Sequence, residues 1–266
     1  MTTIAELLRD AGDESTRRDV EVLLTEALRV PRAYLYAHGD ESLTGTTAQR
    51  ADDMLRRLRC GTPLAYITGK REFWNLELDV SSEVLIPRAE TELLVELALQ
   101  RLAPRARVLD LGTGSGAVAL AIKQQRGDCV VNATDISAGA IAIAQRNAIK
   151  HALDVDWRVG DWYSIVDEPY DLIASNPPYV AQADPHLDAL VCEPRLALVA
   201  GPDGLDALRV IIGGAPTHLV AGGCLLVEHG FDQGPAVREL FERAGMRRVE
   251  THQDLGGNER VTLGTR

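Results

Sequence analysis

The stretch Val108-Leu109-Asp110-Leu111-Gly112-Thr113-Gly114-Ser115-Gly116-Ala117 decides the fold. A short apolar run enters a turn holding three glycines at every second position, and an apolar segment of helical period follows. Glycines there permit a tight turn and let backbone N–H groups approach a ligand closely as the helix begins. The pattern satisfies both Gly-x-Gly-x-Gly and the dinucleotide form Gly-x-Gly-x-x-Ala, so by itself it is a weak signal. The bland alternative is a plain strand-to-helix turn, but three glycines in five positions cost chain entropy that ordinary turns avoid.

Downstream the same alternation repeats. Strands are expected at 107–110, 130–135, 155–159, 171–175, 224–228, 247–253 and 259–263, with helices near 116–126, 138–151, 204–220 and 234–244. Crossovers of that length make right-handed βαβ units, hence an α/β fold with a mostly parallel sheet covered on both faces. The last two strands are joined by Asp254-Leu255-Gly256-Gly257-Asn258, short enough for an antiparallel hairpin at the edge.

Upstream the pattern differs. Thr3 caps a helix carrying Ile4, Leu7, Leu8 and Ala11, which Gly12 ends; Thr16 opens a second with Val20, Leu23, Leu24, Ala27 and Leu28. A short helix with Pro31 at its first position and another from Thr47 to Cys60 complete a bundle over residues 1–62. Residues 63–86 read as a β-hairpin linker, with strands at 65–68, 71–74 and 76–80, and residues 87–266 as the sheet domain, opened by a helix over 90–102.

With 266 residues, 45% hydrophobic and 25% charged, the chain has ample core. No apolar stretch nears the ~18 residues that span a bilayer, and the start is no signal peptide, so a cytoplasmic location without membrane contact is expected. The formal charge is −11; residues 1–70 carry 10 Lys+Arg against 11 Asp+Glu, and the remainder 18 against 28. Such a surface repels a phosphate backbone, so duplex DNA is a poor partner. Cys60, Cys129, Cys192 and Cys224 lie far apart without a Cys-x-x-Cys, which argues against a metal site.

In a sheet of this kind ligands sit beyond the carboxyl ends of the strands. Four loops there carry chemistry. Gly112 to Gly116, with Thr113 and Ser115 between, would cradle a nucleoside-bearing ligand. Asp135 would accept from ribose hydroxyls; its alternative is a cap for the helix near Ser137. Asp161 would accept the adenine amino hydrogens, with Trp162 beside the ring or simply in the core. Asn176-Pro177-Pro178-Tyr179 is the most telling loop: two prolines fix φ and lack N–H, making a stiff mouth of acceptors. A planar NH2 group could donate to the Asn176 side-chain oxygen and the Pro177 carbonyl, with Tyr179 packed on the flat group.

Together these residues resemble the PrmC/HemK family, S-adenosylmethionine-dependent methyltransferases of class I Rossmann-like fold. The likeness spans nearly the whole chain. It includes Pro63-Leu64-Ala65-Tyr66-Ile67-Thr68-Gly69, Arg71-Glu72-Phe73-Trp74, Leu85-Ile86-Pro87-Arg88 with Thr91-Glu92, Asp184-Pro185-His186-Leu187, Glu228-His229-Gly230 and Asn258-Glu259-Arg260-Val261-Thr262-Leu263-Gly264. The resemblance implies methylation of the glutamine amide nitrogen (N5) in the Gly-Gly-Gln loop of class I, bacterial-type peptide chain release factors. It also implies a bundle that docks the release factor and a monomeric enzyme. Gly112 to Gly116, Asp135, Asp161, Trp162 and Asn176 would hold the methyl donor, and Asn176 to Tyr179 would clamp the glutamine. The connection from Leu187 to Glu193, beside the mouth, looks shorter than the family's. The expected chemistry is in-line displacement at the sulfonium methyl, with no general base assigned; His186 and His229 are the tempting candidates for one, against ordinary packing.

Three other readings compete. A nucleic-acid amino methyltransferase would use the same clamp on adenine but needs a basic face or target-reading domain. A nicotinamide dehydrogenase matches Gly112, Gly114, Ala117 and Asp135, but Tyr66-x-x-x-Lys70 lies ahead of the nucleotide fold. A non-catalytic donor-binding adaptor would bind without transfer.

Overall fold

The computed structural model describes residues 2–266, and its contacts divide the chain into two compact units at Lys70. The first unit is helical. Helix α1 (Ile4–Arg9) begins with a capping box: Thr3 Oγ1 accepts from Glu6 N at 3.2 Å and Glu6 Oε2 from Thr3 N at 2.8 Å. Helix α2 (Glu14–Leu28) starts earlier than expected, because Asp13 rather than Thr16 is the cap. Its Oδ1 accepts from Ser15 N and Thr16 N at 2.8 and 3.0 Å, and the Thr16 hydroxyl only donates back to it. Helices α3 (Arg32–Ala37) and α4 (Gly45–Arg59) follow, with Pro31 one position ahead of α3.

The expected strand at 65–68 is instead helix α5 (Leu64–Thr68), opened by Pro63 and closed by Gly69 at φ 76. A short apolar run has no periodicity to distinguish strand from helix. Packing settles it: Ile67 joins Ile4, Leu24 and Leu35 in the bundle's core.

At the boundary a two-stranded hairpin begins, β1 (Lys70–Phe73) and β2 (Leu76–Asp79), turned by Trp74 at φ 56, all but Lys70 in the second unit. The hairpin is thus confined to 70–79. After α6 (Glu92–Leu99) come β3 (Arg107–Leu111), α7 (Ala117–Gln125), β4 (Val130–Asp135), α8 (Ala138–His151), β5 (Asp156–Val159) and β6 (Tyr170–Ser175). The chain closes with α9 (Asp206–His218), β7 (Leu219–Glu228), α10 (Gly234–Arg243), β8 (Arg247–Gln253) and β9 (Glu259–Thr265). Strand β7 begins five positions before the expected 224, taking residues 219 and 220 from the expected helix. Leu219 is fully buried on β6, where a register irregularity between Tyr170 and Leu172 accommodates it.

The seven-stranded sheet runs β5-β4-β3-β6-β7-β9-β8, parallel except for β9, which pairs antiparallel with both neighbours. The expected edge hairpin is present with its second strand turned inward, where Val261 and Leu263 are buried. Strand residues alternate between two cores. Val108, Ala133, Leu172 and Leu226 meet α6 and α7 on one face, and Leu109, Ile173, Leu225 and Val227 meet α9 and α10 on the other. Strand order reverses at β3, flanked by β4 and β6, and this is the switch point where open α/β sheets bind ligands. Leu111 is level with Thr134 and Ser175, and Asp135 with Val159, so the residues after four strands share one rim.

Candidate active site

That rim borders a cavity of about 650 Å³, within the range of small-ligand sites. Gly112, Gly114, Asp135, Trp162, Asn176 and Pro178 all line it, as do Thr113, Ser115 and Asp161.

The glycine loop is held from beneath. Gly112 N and Thr113 N both donate to the Thr134 carbonyl at 2.9 and 3.0 Å, fixing the turn over β4. Asp110 Oδ2 accepts from Thr113 Oγ1 at 2.6 Å and Ala119 N at 3.2 Å, bracing the turn from inside. Burial pushes the Asp110 carboxyl up to about 7, against the pull of those two bonds. Gly116 (φ +86) sits so tightly that a Cβ would lie 3.0 Å from Trp157 Cη2 and 3.2 Å from Ala144 Cβ. At Gly114 (φ +57) a Cβ would meet nothing within 4 Å, so the loop's surface is open there. The Ser115 carbonyl accepts from Asn147 Nδ2 at 2.9 Å, and the same buried amide bonds Asp79, tying the hairpin to the loop.

Asp135 takes a backbone N–H on each oxygen, Gly114 N on Oδ2 at 2.9 Å and Ser137 N on Oδ1 at 2.8 Å. The cap of α8 is Ser137 itself, whose hydroxyl accepts from Ala140 N at 3.2 Å. A carboxylate offers about four acceptor sites, so Asp135 keeps capacity for a ligand on the cavity side. Burial raises its pKa. Trp162, in left-handed backbone at φ 42, lays its ring against Gly112 and the core beneath. It lines the cavity and packs against the core.

The Asn-Pro-Pro-Tyr loop is less uniform than its sequence suggests. Asn176 Nδ2 donates to Thr91 Oγ1 at 3.0 Å, and among the described residues nothing donates to its Oδ1. Pro178 lines the cavity, but Pro177 is buried behind it and Tyr179 is absent from the lining. Tyr179 packs on the core under α9 and α10, and its hydroxyl donates to Glu228 Oε1 at 3.3 Å. Its carbonyl accepts from Gln233 Nε2 at 3.0 Å, which pins the loop at the far end.

Several residues given no site role in the sequence line or brace the walls. Buried Glu193 accepts from Ile86 N at 3.1 Å and from the Arg88 guanidinium, joining the wall around Pro87 to that around Pro194. Thr91 also lines the cavity. Asp110 and Glu228 are acids within or ending otherwise apolar runs of buried strand, and that placement is the signal that could have found them. His186 is exposed and bonded to Asp184, while His229 is buried between Gly230 O (2.8 Å) and Thr262 Oγ1 (2.9 Å), its pKa lowered by burial. Neither lines the cavity.

Residues 73–246 match the Methyltransferase small domain family and residues 1–69 the PrmC N-terminal domain family. A release factor glutamine methyltransferase of Xylella fastidiosa is 52% identical, over 97% of this chain and 96% of its own length. The one from Escherichia coli is 46% identical, over 95% and 93%. In fold, the chain is similar to a 16S rRNA N2 G1207 methyltransferase of T. thermophilus solved with AdoMet and guanosine (TM-score 0.54, 18% identity, 74% of this chain and 49% of that one). Both halves match and the likeness runs nearly end to end, so the chain belongs to the release factor glutamine methyltransferase family.

Proposed function

We infer that this chain transfers a methyl group from S-adenosylmethionine to the side-chain amide nitrogen of the glutamine in the Gly-Gly-Gln loop of peptide chain release factors. The carrying observation is the state of Asn176: its NH2 donates to Thr91, which turns its oxygen to the other side, free to accept, beside an open glycine loop in one cavity. A primary amide offers two N–H donors, and an unengaged carbonyl oxygen is their natural complement.

The cavity's residues fit the methyl donor. Gly114 leaves room where a side chain would intrude, Asp135 has acceptor capacity for ribose hydroxyls, and Asp161 and Trp162 supply an acceptor and a flat wall for adenine. S-adenosylmethionine supplies an electrophilic methyl group on a sulfonium. An amide nitrogen is a poor nucleophile because its lone pair is delocalised, so the chain's own contribution is orientation and exclusion of water. Asn176 Oδ1 holds one amide hydrogen, turning the nitrogen's face to the methyl; Pro177, buried behind Pro178, is not part of the cavity lining. Pro178, Val84 and Leu196 line the same cavity and reduce its water. The N–CH3 bond would form as the S–CH3 bond breaks, the donor leaving as a neutral thioether, and the methylated nitrogen, now acidic, loses its proton to water.

The bundle, residues 1–62 in the sequence reading, is assigned to docking the release factor. No helix among the described residues is long and apolar enough to cross a membrane. A monomeric, cytoplasmic enzyme without direct nucleic-acid contact accords with the −11 charge. The test is mass spectrometry of release factor incubated with enzyme and donor, with transfer RNA, ribosomal RNA and DNA as parallel acceptors. One methyl on the Gly-Gly-Gln glutamine is expected. Methyl only on nucleic acid would replace this reading with the amino methyltransferase of nucleic acids.

A further inference from the structure

We propose that Glu228 is a positioning residue for this reaction: its carboxylate accepts the Thr91 proton, so the Thr91 oxygen must accept from Asn176 Nδ2, leaving Asn176 Oδ1 as the acceptor shown to the substrate amide. The proposal rests on the assignment of Asn176 to the substrate amide. Glu228 ends β7, is 1% exposed, and lies beyond the residues lining the cavity. Tyr179 Oη donates to its Oε1 at 3.3 Å, while Oε2 is buried without a hydrogen-bond partner. Thr91, 4% exposed, has accepted from Asn176 at 3.0 Å and still has its own proton to place. A buried acceptor with nothing to accept is costly, and so is a buried donor with nowhere to give. A Thr91 hydroxyl turned to the carboxyl would answer both needs, and Thr91 is the first of the side chains that pull Glu228 toward its charged form.

A hydroxyl carries one proton, so the chain of bonds has a direction. With Glu228 ionised, every donor points away from the cavity, from Asn176 to Thr91 to Glu228. With Glu228 protonated, or replaced by glutamine, it can donate to Thr91. The hydroxyl then turns toward Asn176, whose side chain flips and presents NH2 to the NH2 of the substrate. Two donors facing each other lose the grip.

The groups around Glu228 set where that change falls. Burial raises its pKa to about 7, aided by Glu90; Thr91, Tyr179 and Arg260 oppose it. Arg88 acts on the neighbouring Tyr179, and His229 is kept neutral by burial. The switch therefore lies near neutral pH, with the active direction on the alkaline side.

The test uses the full-length enzyme with release factor, comparing Glu228→Gln, Thr91→Val, their double variant and Thr91→Ser. Donor affinity by calorimetry and thermal melting verify folding. Glu228→Gln should lower kcat roughly tenfold, one misdirected hydrogen bond, with donor Kd unchanged. Its kcat should also lack the fall below about pH 7 that the proposal expects of the wild type. Thr91→Val should match it, the double variant should be no worse than either single, and Thr91→Ser should restore the wild-type profile. If Glu228→Gln does not fold, Thr91→Val against Thr91→Ser decides. Retention of the acid limb in Glu228→Gln or Thr91→Val, or losses that add in the double variant, would overturn the proposal. Those outcomes with an inactive Asn176→Ala sink the positioning role alone; normal turnover in Asn176→Ala sinks the underlying assignment.

Discussion

Asn176 and Thr91 stand 85 positions apart in the chain and meet at 3.0 Å, the one just after β6 and the other just ahead of α6. Their bond determines which end of the Asn176 amide is left over, and a carboxamide substrate needs the oxygen. Asn176→Ala should therefore lower turnover on the order of 10²-fold, as loss of one positioning group does in other enzymes. Steady-state kinetics with release factor measure it, and normal turnover in this variant would remove Asn176 from the clamp.

Asp135 has two duties, tying Gly114 to Ser137 and offering its remaining lone pairs to the donor's ribose. Asp135→Ala should weaken donor affinity by roughly 1.5–3 kcal/mol, the worth of charge-assisted hydrogen bonds. It should also lower the melting temperature, because two backbone N–H groups lose their acceptor. Calorimetric titration with S-adenosylmethionine reads the first effect; unchanged binding would confine Asp135 to the structural duty.

Gly114 and Gly116 separate function from packing within one loop. Both have positive φ, which costs a side-chain-bearing residue roughly 1–2 kcal/mol. Gly116→Ala adds contacts at 3.0–3.2 Å to Trp157, Leu120 and Ala144, so it should cost ~1–3 kcal/mol more in urea unfolding. Gly114→Ala meets no protein atom and should show only the backbone penalty, yet it should weaken donor binding the more strongly of the two per unit of stability lost. Equal ratios of affinity loss to stability loss would mean that Gly114 does not border the donor.

Strand and helix periodicity made the sheet legible because its apolar residues alternate between two cores and its crossovers are long enough for parallel βαβ units. The glycine turn, Asp135 and Asn176 were legible because each follows or ends an apolar strand at its carboxyl end, where open α/β sheets bind their ligands. At 65–68 four residues carry too little periodicity to separate strand from helix, and the packing of Ile67 makes the choice. Thr91, Glu193 and Glu228 were not legible as site residues, since each acts on a partner distant in sequence. Tyr179 was read from its motif as a ring for the substrate, whereas its side chain reaches back to Glu228, a direction that depends on loops pinned by Gln233.

Asp110 makes stability depend on pH in the direction opposite to an ion-paired carboxylate. Its carboxyl ionises near the usual 3.8 in the unfolded chain and near about 7 in the folded one, where burial disfavours the charge. Between those values the folded chain holds more protons than the unfolded chain, so stability falls as pH rises. Its contribution is fully present below about pH 4, declines toward pH 7 and is flat above, amounting to up to about 4 kcal/mol. Glu228, also pushed up to about 7, adds a fall in the same window. Asp110→Asn keeps an acceptor for Thr113 and Ala119 and cannot ionise. Its stability should decline less between about pH 5 and pH 7 and should equal or exceed the wild type's near pH 8. Urea unfolding across that range measures both. Parallel decline of the two proteins would mean that Asp110 is already charged in the folded enzyme, with the glycine turn held by an anion rather than by a neutral acid.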